Sequence, residues 1–367
     1  MIIKSIEVAN FRNYESMKID FSSGTNILYG DNAQGKTNIL EAIFMSATTK
    51  SHKGSKDKEI IKFGSDEAHI RTVLERDGAS YRLDMHLRKN KSKGIAIDGQ
   101  RVKKAADYVG LLNVVFFSPE DLSIVKRGPS ERRRFIDMEL CQLDETYLYN
   151  LARFNKLLVA RNKMLKDMAG NRDFMSFLEV QDAQMIKYGK EIINSRAKFI
   201  KELGEIIEPI HRKLTGGKES LKIFYEPNVN ADEYEDKLKR QRERDLFLKQ
   251  TGIGPQKDDF SFIVKRSEQD EEIDIRKYGS QGQQRTASLS LKLSEIELVK
   301  KSKKENPVLL LDDVLSELDA NRQNYLLDTI GDIQTIITCT GYDEFVNHRF
   351  EINKLIRVVN GTVISEN

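Results

Sequence analysis

Hydrophobic and polar positions change period several times along the chain, and each change marks a different element. Ile2, Ile6 and Val8 share one face of an alternating segment, and Met17, Ile19 and Phe21 share one face of another, so 2–8 and 17–21 read as strands. Thr25 to Tyr29 is a third short strand, and Asn38 to Ile43 opens a helix. Alternation returns at 70–76 and 81–88 around Asp77-Gly78, a pair suited to a tight hairpin because both turn residues need positive φ. Ile95-Ala96-Ile97 and a second Asp-Gly at 98–99 continue this antiparallel sheet.

Near residue 115 the period changes. Val114 to Phe117 is a buried strand, Ser118-Pro119-Glu120-Asp121 starts a helix, and the pattern from Pro129 to about Pro209 is almost wholly helical. Tyr147, Leu151, Phe154 and Leu158 form one stripe. Two seven-residue series follow: Met185, Ile192, Phe199, Ile206, and Ile186, Ile193, Ile200, Ile207. That period predicts a short coiled-coil-like helix pair, which Pro209 should end. Asp232 to Gln250 adds one charged helix, and Thr251 to Pro255 returns the chain to sheet, with Phe260–Val264 and Glu272–Ile275 as a hairpin. The expected architecture is α/β. Residues 1–114 and 251–367 form a nucleotide lobe with an antiparallel β subdomain, and 115–250 form an inserted helical lobe.

Composition narrows the class. The chain has 367 residues, enough for two or three packed units, with 32% charged and 39% apolar residues. Its net charge is only +3, so a nucleic-acid surface must be a local patch. The two cysteines, Cys141 and Cys339, have no metal-like spacing and read as reduced packing residues. No apolar run reaches the roughly 18–20 residues of a membrane helix, and the expected location is the cytoplasm.

The chemistry centres on Gly30-Asp31-Asn32-Ala33-Gln34-Gly35-Lys36-Thr37, set between a strand and a helix. Backbone N–H groups at a helix start make a concave anion site, and the glycines admit phosphates to the backbone. Lys36 would reach the β- and γ-phosphates of ATP, and Thr37 would ligate Mg²⁺. Pro307 to Asp313 is a continuous apolar run ending in two carboxylates, as in a central parallel strand whose C-terminal end faces the ligand. Asp312 there could hold Mg²⁺ opposite Thr37, and Asp313 could orient or deprotonate the attacking water.

Ser280-Gln281-Gly282-Gln283-Gln284 precedes a helix carrying Leu289, Leu293 and Ile296 on one face. This is a second phosphate-binding helix start. Both starts are used if two copies face each other, with Ser280, Gly282 and Gln283 of one meeting the γ-phosphate held by Lys36 of the other. That is the arrangement of ABC ATPases, and Ser316 to Asp319 is similar to their D-loop.

Asn10-Phe11-Arg12-Asn13-Tyr14, the 30–37 loop, Phe117 to Leu122, Gly128-Pro129 with Arg132-Arg133-Arg134-Phe135, Gly282 to Arg285 and Leu311 to Asp319 together resemble the bacterial RecF family, relatives of SMC ATPase heads. The resemblance spans the whole chain. It implies an ABC-type head with a short helical arm, ATP-dependent dimerisation and slow, DNA-stimulated hydrolysis. It also implies binding to single-stranded and gapped double-stranded DNA, and work with RecO and RecR to load RecA in repair, replication and SOS induction. Arg12 joins the nucleotide residues by the same resemblance.

Departures from the family and class patterns set further expectations. With no evident Q-loop glutamine, Glu120 or Asp121 takes that position. The switch histidine of transporters is absent, and Thr340 is the candidate sensor. Gln256-Lys257 stand where the family more often has His-Arg. Lys126, Arg127, Arg132, Arg133 and Arg134, with Lys53, Lys56 and Lys58, are the candidate DNA contacts, and the lysine-rich tip at 89–94 is a lesser one. The competing reading is the nucleotide-binding subunit of an ABC transporter. The missing histidine, Gln283 and the large helical insertion argue against it. A P-loop kinase or a purely structural head leaves the signature and D-loop unexplained.

Overall fold

Both Asp-Gly pairs adopt the left-handed conformation their hairpins require: φ is 52° and 75° at Asp77 and Gly78, and 52° and 80° at Asp98 and Gly99. They join Glu67–Arg76 to Ala79–Arg88, and Gly94–Ile97 to Gln100–Val102. With Ile2–Phe11 and Tyr14–Asp20 these strands form a six-stranded antiparallel sheet. Ile6 lies between Ile19 and Thr72, and Val8 between Met17 and Ile70. All are buried, so the alternation seen in sequence becomes one packed face.

The second six-stranded sheet is mostly parallel. Thr25–Tyr29 pairs with Thr335–Cys339 on one side and Ile352–Val359 on the other. Val308–Asp312 follows Thr335–Cys339, Val114–Phe117 closes one edge, and Thr362–Glu366 lies antiparallel at the opposite edge. Every residue of Val308–Asp312 is buried, as its unbroken apolar run requires. The register sets Asp312 beside Thr338 and Cys339 beside Tyr29, so the loops after these strands leave from one end of the sheet.

The computed structural model describes residues 1–167, 174–266, 269–341 and 351–366, which gather into two compact units. One is Met1–Asp121 with Glu295–Asn367, and the other is Leu122–Ser294. The second unit therefore runs past residue 250, where the sequence reading placed the return to the nucleotide lobe. The cause is the strand Ser220–Glu226, which the sequence reading missed among its helices. It pairs antiparallel with Asp259–Lys265, which in turn pairs with Ile273–Asp274 and holds that hairpin in the second unit.

Helices fill the rest of that unit: Leu122–Lys126, Pro129–Leu143, Glu145–Asp167, Phe174–Leu214, Tyr234–Arg240 and Arg242–Leu248. Part of the expected 129–209 helical run, 168–173, lies outside the described residues. Seven of the eight heptad positions are buried and Ile206 is half-buried, because the long helix packs on both Glu145–Asp167 and Ser220–Glu226. Pro209 does not end it. The helix continues to Leu214, with Ile207 and His211 fully buried on either side of the proline. An interior proline costs about 3 kcal/mol, which the packing of this long helix on Glu145–Asp167 and Ser220–Glu226 offsets. The charged 232–250 stretch forms two short helices rather than one.

Candidate functional site

Strand Thr25–Tyr29 delivers the chain into the 30–37 loop, and the helix Lys36–Thr48 begins at its end. Gly30 has φ +146°, and a Cβ there would lie 2.3 Å from the Val358 carbonyl oxygen. Gly35 has φ +113°, and a Cβ there would lie 2.6 Å from Asn13 Nδ2 and 2.7 Å from Tyr14 Oη. Only glycine fits either place. The loop is gripped from two sides. Asn13 Nδ2 donates to the Gln34 carbonyl at 3.2 Å and Asn13 Oδ1 accepts from Asn38 Nδ2 at 2.8 Å, while the Asn360 N–H donates to Gln34 Oε1. Asp31, Asn32 and Ala33 are exposed at the crest. No side chain caps the helix that starts at Lys36, so its first N–H groups remain for a ligand.

Lys36 is 5% exposed, and its ammonium donates to the carbonyls of Gly30 at 2.7 Å and Asp31 at 2.9 Å. The cation is thus held over the loop that would carry phosphates. The Thr37 hydroxyl donates to Asp312 Oδ1 at 2.8 Å, and the Thr338 hydroxyl donates to the same oxygen at 2.8 Å. The Asp313 N–H donates to Thr338 Oγ1 at 3.0 Å, and Asp313 itself takes φ +51°. The two expected halves of the site, 30–37 and 312–313, therefore meet. In the D-loop, Ser316 Oγ donates to the Asp313 carbonyl at 2.9 Å.

The sequence reading gave Thr338 no role and named Thr340 as the candidate sensor. Thr340 is exposed on the bend after its strand, whereas Thr338 is buried against Asp312. The signal was the register of two parallel strands, which no local pattern carries. Asp121 accepts from the Ser118 N–H at 2.7 Å at the start of a short helical turn, and Glu120 is exposed.

Arg12 is bonded to the helix that follows the loop. Its Nε and Nη2 each donate to the Glu41 carboxylate at 2.7 Å, Nη2 also donates to Ser55 Oγ at 2.9 Å, and Nη1 donates to the Glu59 carbonyl at 3.0 Å. Glu41 is fully buried on the helix that begins at Lys36. Burial alone would raise its pKa, but the bonds from Arg12 and Ser51 outweigh this and hold the carboxyl below its ordinary value.

In the second unit, Ser280 and Gln283 cap the helix Gln281–Lys303 reciprocally: the Gln283 N–H donates to Ser280 Oγ at 3.2 Å, and the Ser280 N–H donates to Gln283 Oε1 at 3.0 Å. Ser280, Gln281 and Gly282 are exposed, and a Cβ on Gly282 would meet only Ser280 Oγ at 3.9 Å.

The basic candidates separate. Lys53, Lys56, Lys58, Lys126 and Arg127 are exposed. Arg132 is not available to DNA. It is 4% exposed, forked onto Asp259 at 2.5 and 3.0 Å, and donates to the Ile124 and Arg127 carbonyls. Arg133 is half-buried and donates to the Asp258 carbonyl at 2.7 Å, with burial pushing its pKa down. Arg134 is half-buried. At the hairpin tip, Lys93 donates to the Thr49 carbonyl and pairs with Asp57 at 2.9 Å.

The donor set suits Mg-ATP. Two glycines leave a backbone surface that a Cβ would block, a lysine stands over it, and the adjacent hydroxyl–carboxylate pair supplies the hard oxygen ligands magnesium prefers. Fold and site define a P-loop ATPase head of the ABC and SMC type. The sequence matches the RecF/RecN/SMC N terminal domain over residues 2–363. Within that group the chain belongs to the RecF family. It is 60% identical over 363 residues to DNA replication and repair protein RecF of Agathobacter rectalis, covering 99% of each chain. To the protein of the same name from Clostridium perfringens it is 42% identical over 368 residues, again covering 99% of each. A solved structure of the recombination mediator protein RecF with ATP in the RecFOR pathway superposes with a TM-score of 0.90 at 33% identity, covering 100% of this chain and 98% of that one. An Smc head domain from Pyrococcus furiosus shares the fold, with a TM-score of 0.56 at 18% identity over 100% of this chain and 96% of that one. Among the described residues no helix is long and apolar enough to cross a membrane.

Proposed function

We propose that this chain is an ATP-dependent, DNA-binding recombination mediator that dimerises on ATP at single-strand/duplex DNA. It would act in the cytoplasm with RecR and RecO to help load RecA, supporting replication, repair and SOS induction. The observation that carries the reading is the convergence of Lys36, Thr37, Asp312 and Asp313 at one end of the parallel sheet, in a chain 60% identical to a RecF protein.

Gly30 to Thr37 would wrap the triphosphate, with Lys36 exchanging its carbonyl partners for β- and γ-phosphate oxygens. Thr37 and Asp312 would hold Mg²⁺, whose charge offsets that of the phosphates when bound. Asp313 would orient or deprotonate the attacking water. Ser280, Gly282 and Gln283 would bind the γ-phosphate held by a second copy, so that ATP bridges the dimer and its hydrolysis, slow and DNA-stimulated, releases it. Lys53, Lys56, Lys58, Lys126 and Arg127 are the exposed DNA candidates, and Arg133 and Arg134 are half-buried ones. Arg12, bonded to Glu41, would join the nucleotide-binding residues.

Sedimentation with and without ATP, on gapped and on blunt duplex DNA, tests this. A dimer that forms only with ATP and prefers gapped DNA is expected. A chain that stays monomeric with ATP would overturn the dimer reading, and one that ignores DNA would overturn the mediator reading.

A further inference from the structure

We propose that Glu67, His69 and His86 form a binding site for one divalent cation of the zinc class, on the exposed face of the antiparallel sheet. His69 and His86 are direct cross-strand partners, brought together by the Asp77-Gly78 turn. Glu67 precedes His69 by two residues and so shares its face. The two imidazoles stack at 4.0 Å between centroids and 19° between planes. His86 Nε2 lies 2.8 Å from Glu67 Oε2, and His69 Nε2 lies 4.0 Å from Glu67 Oε1. One donor atom from each of the three residues falls within 4.8 Å of the other two. Ligand atoms around a tetrahedral zinc stand about 3.3–3.5 Å apart, so small side-chain rotations close the set.

The chemistry selects the ion. Two imidazoles and one carboxylate suit zinc and its neighbours, whereas magnesium and calcium prefer all-oxygen sites such as Thr37 with Asp312. The side chains of Glu67, His69 and His86 keep 54%, 52% and 34% of their surface, so an ion can enter from solvent. His69 and His86 line the same groove of about 700 Å³ as Arg71, Asp84 and Arg88. Arg71 is tied to Asp84 at 2.7 Å, and Arg88 donates to the Ser92 carbonyl at 2.8 Å, so the nearest cations on this face have partners of their own. Three protein donors leave a tetrahedral ion one position for water or an anionic oxygen from the groove. The ion would also pin two neighbouring strands together.

Calorimetric titration of zinc chloride into the chelator-treated, nucleotide-free full chain tests the site, with cobalt(II) absorption reporting coordination. One ion per chain is expected. The His69→Asn/His86→Asn double variant should bind at least about tenfold more weakly, as should Glu67→Gln alone. Zinc should raise the thermal midpoint of the wild type and not that of the double variant. Equal stoichiometry and affinity in wild type and double variant would overturn the proposal. So would loss of zinc only on Cys141→Ala/Cys339→Ala, or no zinc uptake by the wild type. These readouts are independent of ATP and DNA, so their failure leaves the mediator reading untouched.

Discussion

Thr37 and Thr338 both donate to one oxygen of Asp312, each at 2.8 Å, although Thr37 and Asp312 lie 275 positions apart. A carboxylate held by two hydroxyls keeps one orientation before any ligand arrives, and the other oxygen remains for a metal. Thr338→Val preserves shape and removes one of the two bonds. The Mg²⁺ requirement of ATP binding should rise about 10–100-fold, the scale typical of weakened outer-shell support. Magnesium titration of nucleotide binding would measure it, and an unchanged midpoint would show that Thr37 suffices.

Asp313 occupies φ +51°, a region asparagine tolerates and β-branched residues do not. Asp313→Asn should therefore fold normally, lower phosphate release about a hundredfold, and leave a long-lived ATP dimer. Asp313→Val should instead lose about 1–2 kcal/mol of stability. Phosphate release, sizing with ATP and a thermal melt separate the two effects.

Ser280 is exposed at its helix start, and Ser280→Arg places a bulky cation there without touching the core. ATP-dependent dimerisation should be lost while ATP binding persists. Lys36→Met should lose both. Mixing the two variants should recover one working site per dimer, because both defects fall on the same composite site. Mixtures no more active than either variant alone would count against sharing of sites between copies.

Glu41 is held below its ordinary pKa by Arg12 and Ser51 against the opposing effect of burial. Its contribution to stability is fully present above the unfolded value of about 4.3 and is lost as pH falls through the lower folded value. The wild-type melting temperature should drop on acidification below about pH 4.3, and Glu41→Gln should flatten that segment of the profile. At neutral pH the variant should be about 1–3 kcal/mol less stable, since Arg12 keeps only part of its bonding.

Arg132 and its exposed neighbours should behave oppositely. Arg132→Ala removes the fork onto Asp259, which keeps only Arg276 at 3.1 Å as a cationic partner, and should cost about 1–3 kcal/mol, seen in denaturant melts. Lys126→Ala/Arg127→Ala should leave stability within about 0.5 kcal/mol and reduce the salt dependence of DNA binding by about 0.9 in log–log slope for each phosphate no longer neutralised.

Features written in short stretches of chain were legible without coordinates. The Gly30-to-Thr37 loop, the apolar run into Asp312, the Asp-Gly turns and the helix start at Ser280 depend on neighbours within a few residues, and local sterics and backbone hydrogen bonding dictate them. Features that depend on which distant segments meet were not. The strand Ser220–Glu226, with Leu221 and Ile223 alternating with exposed Lys222 and Phe224, had no assignment from sequence, and its place in the second unit was set by pairing with Asp259–Lys265. Pro209 obeyed tertiary packing rather than its own propensity, and Arg132 belonged to Asp259 rather than to solvent. Thr338 reached Asp312, and His69 reached His86, through strand register alone. Local chemistry determined that a triphosphate loop, a carboxylate strand and a signature helix exist in this chain. Tertiary pairing decided which hydroxyls orient the carboxylate, which arginines remain free, and where two histidines come within reach of one ion.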